Sequence, residues 1–304
     1  VRVLVVLLLL AGLLIWSPSA GAPVSDPSTA HGGDVRAASA FAAFRVGGTS
    51  RLAAPALDDA QVTGLLTTLD ELLAASTRGS GGVEQGRDAL WQFSRKVQSG
   101  LLGPGQETRI LTHLGRVASR RPELAPSVER ARRLILRLSI GKTAPEIVGR
   151  DLEGRPFRLT DYRERAVALV FSADWCAICR TLEPYERFLA ERYAKWPFAI
   201  VGVQTGASRE QALGQMLQTG LPHRAFWDEP GESAPNGQIA DDWNVMGWPA
   251  TYLIDGEGVI RFVDVRDEDL LKGVRQLVEE QVDRDDRRAR ARARDTKTGG
   301  LGPG

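Results

Sequence analysis

The chain has 304 residues, 43% apolar and 25% charged, with a formal net charge of +1. That length accommodates two modest domains or one domain with long appendages, and so small a net charge removes the global case for a nucleic-acid binder, which normally carries a basic patch. A closed zinc site needs four ligands, and two cysteines with three histidines in three separate segments (His31, His113 and His223) do not assemble one, so no metal is expected.

Arg2 precedes an apolar run from Val3 to Trp16, followed by Ser17, Pro18 and the small residues Ala20, Gly21 and Ala22. A positive start, an apolar centre and a small-x-small site form the pattern of a secretory signal peptide. Residues 1–22 are therefore expected to be a signal cleaved near Ala22. Spanning a bilayer takes roughly 20 apolar residues, so retention of residues 3–16 as a membrane anchor is the alternative. The implied location is periplasmic or otherwise extracytoplasmic, where thiols are oxidised unless something reduces them. Residues 23–57, rich in Ala, Ser, Pro and Gly without a sustained period, read as a flexible linker.

Residues 58–138 carry four amphipathic stretches. In the first, Val62, Leu65, Leu66, Leu69, Leu72 and Leu73 share one helical face, and Asp58 and Gln61 are spaced as a capping box. The others run from about Val83 to Ser99, Gln106 to Ser119 and Ser127 to Leu138. Four short helices predict a small all-α bundle, whose expected role is packing and partner contact. From about residue 140 the pattern changes to β-branched apolar runs: 166–172, 198–204, 250–255 and 259–265. Helical stretches at about Ala177 to Tyr193, Arg209 to Thr219 and Glu268 to Val282 alternate with or follow them, which predicts an α/β layered domain over 140–282. The turn "DGEG", Asp255 to Gly258, makes the last two strands an antiparallel hairpin. The charged, Gly-ended segment 283–304 is expected to be disordered.

Both cysteines lie in "FSADWCAICRTLEP", Phe171 to Pro184. A structural staple across so short a loop removes little unfolded-state entropy. Exchange chemistry suits the surroundings better, because a strand hands over there to a helix whose amino terminus favours a thiolate. Cys176 is then the exposed nucleophile, and Cys179, one turn on, resolves a mixed disulfide formed on it. The only redox group required is the Cys176–Cys179 disulfide, with no further cofactor. Asp174 beside the pair is a candidate for disfavouring the thiolate by like charge. His223 reads as a loop residue before a strand, and Trp243 as a partly buried aromatic.

Taken together, "WCAICRTLEP" and "VMGWPATYLIDGEGVI" resemble the thioredoxin fold, specifically the exported TlpA- and ResA-like branch of the redoxins, over about residues 140–281. Trp175, Pro184 and Pro249 match residue by residue, and "GKTAPEIVGRDLEGRPFRLTDYR" is similar to the family's amino-terminal hairpin. The resemblance implies a central mixed sheet flanked by helices, a structural Pro184, and a cis Pro249 facing the cysteines. It also implies a groove beside Trp175, Trp248 and Pro249 where a partner polypeptide pairs as an extra strand. Its partners would be protein thiols and disulfides and an upstream electron donor or acceptor protein. The chain departs from the family at Ile178, where proline is common, and at Leu182, where a glutamate is common and Glu183 follows one residue late. A helical step of one residue turns a side chain by about 100°, so Ile178 and Glu183 are possible tuning positions. Two rival functions stay open at this level. A peroxiredoxin-like thiol peroxidase would need Pro and Thr ahead of its cysteine, where this chain has Ser172 and Cys176, or Leu169 and Ala173. A non-catalytic binding or assembly protein would use the fold as a scaffold only.

Overall fold

Among the described residues of the amino-terminal half, three of the four helices start at a local signal. The structure, a computed structural model, describes residues 56–76, 81–232 and 234–298; the expected signal and the linker up to residue 55 lie outside the described residues. Helix α1 (Asp59–Ala75) opens on the expected capping box. The Asp58 carboxylate accepts the Gln61 N–H at 2.7 Å, and the Gln61 side chain accepts the Asp58 N–H at 2.9 Å. Helices α2 (Gly82–Gln98), α3 (Pro104–Arg120) and α4 (Ala125–Arg137) follow. Pro104 and Pro126 sit in first turns, where the missing N–H has no intrahelical partner to lose. Val62, Leu69, Leu90, Val97, Ile110, Leu114 and Ile135 form the shared interior.

Beyond the bundle, β1 (Val148–Arg150) and β2 (Pro156–Arg158) make an antiparallel hairpin. The main sheet holds β3 (Ala166–Ala173), β4 (Phe198–Thr205), β5 (Arg224–Trp227), β6 (Ala250–Ile254) and β7 (Ile260–Val263), in the order β5-β4-β3-β6-β7. Strands β3, β4 and β5 are parallel, and β6 and β7 run antiparallel. Successive β3 side chains enter opposite faces. Val167, Leu169 and Phe171 join one core with Val201, Phe226 and Tyr252; Ala166, Ala168 and Val170 join another with Ile200, Leu253 and Val274. A strand buried on both faces reads as a continuous apolar run, as "AVALVFS" does. This is the thioredoxin-like α/β fold, preceded by an all-α region. The described residues all belong to one compact unit, 51–304.

Two expected elements differ. The helix expected from Ala177 to Tyr193 is split into a 3-10 turn at Cys179–Thr181 and α5 (Glu183–Arg192). The cause is Pro184, which has no N–H for the Arg180 carbonyl and is tolerated only in a first turn. Helices α6 (Arg209–Thr219) and α7 (Gln238–Asp242) follow. The tail expected to be disordered from residue 283 continues α8, which spans Asp267–Thr298. Arg and Ala are strong helix formers, and residues 283–298 contain no Gly or Pro. Gln281 donates to Asp285 one turn on, and Arg284 and Arg288 reach Glu257 and Glu164.

Candidate active site

The C-terminal end of β3 lies between a parallel and an antiparallel neighbour, and the cysteine pair follows it. The Ala173 carbonyl accepts the Cys176 N–H at 3.0 Å, turning the chain back. Cys176 and Cys179 are disulfide-bonded, with Cα atoms 5.3 Å apart. The Cys179 N–H is shared between the Cys176 carbonyl at 3.2 Å and the Cys176 Sγ at 3.1 Å. A backbone donor aimed at this sulfur favours its anionic form.

Two expectations need correction. Cys176 is not exposed: it retains 4% of its surface and Cys179 5%, packed with Ala173 and Trp248. Nor does an α-helix start at the pair, since α5 begins at Glu183; the single Cys179 N–H does what was expected of a helix terminus. The local cause is again Pro184, which delays the helix.

Trp175, 62% exposed, meets the half-buried Trp248 edge-on with ring centroids 5.4 Å apart. The Trp248–Pro249 bond is cis, the geometry that the resemblance implies. The structure thus brings together Cys176, Cys179, Trp175, Trp248 and Pro249. Ile178 is 53% exposed, so its apolar side chain extends the surface beside the pair. Glu183 is half-buried; burial pushes its carboxyl up, opposed by Arg187 and Arg180. Asp174 is engaged elsewhere: its carboxylate accepts the Ala207 N–H at 2.8 Å. A Cβ on Gly206 would lie 2.3 Å from that carboxyl, so only glycine allows the contact.

Sequence reasoning missed three features. Arg266 donates to the Pro249 carbonyl at 2.9 Å, holding the loop beside the disulfide from the far end of β7. Gln98, at the end of α2, donates to the Tyr252 hydroxyl at 3.2 Å, and Tyr252 in turn donates to the Trp243 carbonyl. Neither leaves a local sequence signal. The third, Glu186, does: with Leu182 and Leu189, both buried, it occupies one helical face. Its carboxyl lies 3.5 Å from His223 Nε2 beneath α5. Burial pushes Glu186 up to about 7 and His223 down to about 4.

Residues 140–263 match the AhpC/TSA family model. Over 124 residues the chain is 33% identical to the thiol-disulfide oxidoreductase ResA of Geobacillus thermodenitrificans, covering 41% of this chain and 68% of that protein. It is 36% identical to a DsbE homologue, a thiol:disulfide interchange protein of Paracoccus denitrificans, over 40% of this chain and 63% of that one. Among solved structures, the thioredoxin domain of a thiol-disulfide oxidoreductase from Bacteroides vulgatus aligns at 26% identity and a TM-score of 0.42, over 46% of this chain and 99% of that chain.

Proposed function

Since the chain belongs to the ResA family of thiol-disulfide oxidoreductases, we propose that Cys176 is the attacking sulfur and Cys179 the resolving one, acting on protein disulfides as a reductant or isomerase. The observation that carries this assignment is the Cys179 N–H held 3.1 Å from the Cys176 Sγ, a donor that favours a thiolate on Cys176. In the reduced protein, the Cys176 thiolate attacks one sulfur of a substrate disulfide and expels the other as a thiolate, leaving a mixed disulfide. Cys179, deprotonated, then attacks the Cys176 Sγ; the internal disulfide forms and the second substrate sulfur leaves, so two electrons pass to the substrate. No further cofactor enters the step. Trp175, Trp248 and Pro249 form the wall that a substrate segment meets.

An upstream donor protein must re-reduce the pair for another turnover. Export belongs to the same proposal, supported by the apolar run behind Arg2 and by the need for a compartment in which disulfides persist. Among the described residues no helix is long and apolar enough to cross a membrane.

Reduction of bis(2-hydroxyethyl) disulfide with a recycling thiol tests the assignment. Cys176→Ser is expected to bring turnover to background, and Cys179→Ser to accumulate a substrate adduct visible by mass under non-reducing conditions. Full turnover by Cys176→Ser sinks the assignment. Peroxide consumption faster than disulfide reduction would favour a peroxidase, and an intact pair with no exchange would favour a binding protein.

A further inference from the structure

Helices α2 and α4 and the loop after α7 enclose a cleft of about 480 Å³. Trp91, 42% exposed, stands on the helical side and Met246, 51% exposed, on the loop side. Arg130 joins the two walls, with Nη1 2.8 Å from the Met246 sulfur. Arg87 lines the same space. Met246 is three positions before Pro249, a distance of roughly 10 Å in extended chain, and Trp248 between them packs against the disulfide. The loop that lines the cleft at Asn244 and Met246 thus runs on along the chain to Trp248 beside the reacting sulfurs.

The helical segment that walls the cleft is basic. Residues 81–137 carry eleven Lys and Arg against five Asp and Glu, in a chain whose net charge is +1. Arg130 and Arg133 share the Asp241 carboxylate only at 3.8 and 3.9 Å, and Asp88 is the one acidic residue lining the cleft. Exposed Trp and Arg at a concave surface are the residue types that anchor protein partners.

We propose that this cleft binds the stretch of substrate polypeptide flanking the reactive disulfide, taking an apolar side chain between Trp91 and Met246 and acidic side chains toward Arg87 and Arg130. The helical region then selects among protein disulfides that the cysteine pair alone would treat alike. The proposal rests on the exchange reading above and adds the substrate's chemistry to it.

The test uses the full, reduced chain and two disulfide peptides that share a leucine and differ only in flanking Glu or Lys. The neutral bis(2-hydroxyethyl) disulfide is the reference. Each kcat/KM is divided by that of the reference on the same preparation, so loss of folded protein cancels. The Glu peptide is expected to exceed the Lys peptide by about tenfold, and the Arg87→Glu/Arg130→Glu pair to invert that order. Trp91→Ala is expected to lower both peptide ratios together, by severalfold. Equal ratios in the parent chain, or an order that the charge-reversed variant keeps, overturn the proposal. So does a dimer in sedimentation that Trp91→Ala dissociates, since a second copy would then occupy the cleft. A parent chain inert toward the reference disulfide overturns the exchange reading instead. Docking is then decided by the anisotropy of the same peptides, labelled and carrying Ser for Cys, through the same order and the same reversal.

Discussion

Glu186 and His223 face each other beneath α5 with their side chains almost wholly buried. Strand β4 makes room for the ring, since a Cβ on Gly202 would come within 3.3 Å of His223 Nε2. Burial, with a smaller push from Glu183 and an opposing pull from Arg187, holds the Glu186 carboxyl up at about 7; burial alone holds the His223 ring down at about 4. The folded chain therefore keeps a proton on Glu186 that the unfolded chain releases near its ordinary value of 4.5. That contribution to stability is complete below this value and is lost as pH rises through about 7. His223 acts in the opposite sense, its contribution being present above 6.5 and lost as pH falls through about 4. Glu186→Gln removes only the alkaline loss. Its melting temperature relative to the parent chain is expected to rise by ~5 °C between about pH 5 and 8, and a difference that stays flat over that range would refute the raised carboxyl.

Between elements, the end of α2 is tied to the sheet through one side chain. Gln98 is fully buried, and its side-chain amide donates to the Leu138 carbonyl at 2.9 Å and to the Tyr252 hydroxyl at 3.2 Å; its backbone carbonyl accepts the Ile140 N–H. Gln98→Ala leaves the first two acceptors buried without their donor, which costs about 1–3 kcal/mol. The midpoint of urea unfolding should fall accordingly, and an unchanged midpoint would mean that these acceptors find other partners. The loss is also expected to loosen Tyr252 against Trp243, whose rings meet edge-on at 5.0 Å. At the other end of the chain, α8 shows how an element outlasts its apolar stripe. Leu270, Val274, Leu277 and Val278 bury its first half, while the rest continues on helix propensity and on partly exposed ion pairs, individually weak.

Over the whole molecule, the helical region and the sheet share structure. Leu138, directly after α4, belongs to the sheet-side core, and Lys142 pairs with Glu107 and Arg95 with Asp264. The described residues are therefore expected to unfold in one transition, with calorimetric and van't Hoff enthalpies equal; two resolved transitions would show that the helices fold independently. Much of this arrangement is legible in the sequence. The capping box at Asp58, the continuous apolar run of β3, the turn at Asp255 and the C-x-x-C spacing with Pro184 each depend on residues a few positions apart, where dihedral preference and side-chain direction dominate. The late start of α5 is legible too, in a Pro184 that offers the Arg180 carbonyl no N–H. Tertiary structure alone decided that Cys176 is covered, that Asp174 serves the loop at Ala207, and that α2 and α4 stand beside the loop leading to Pro249. These outcomes depend on contacts such as Gln98 with Tyr252, 154 positions apart. Packing between distant segments is set by complementary shape and by partners for buried polar groups, which leave no periodic signal in either segment alone.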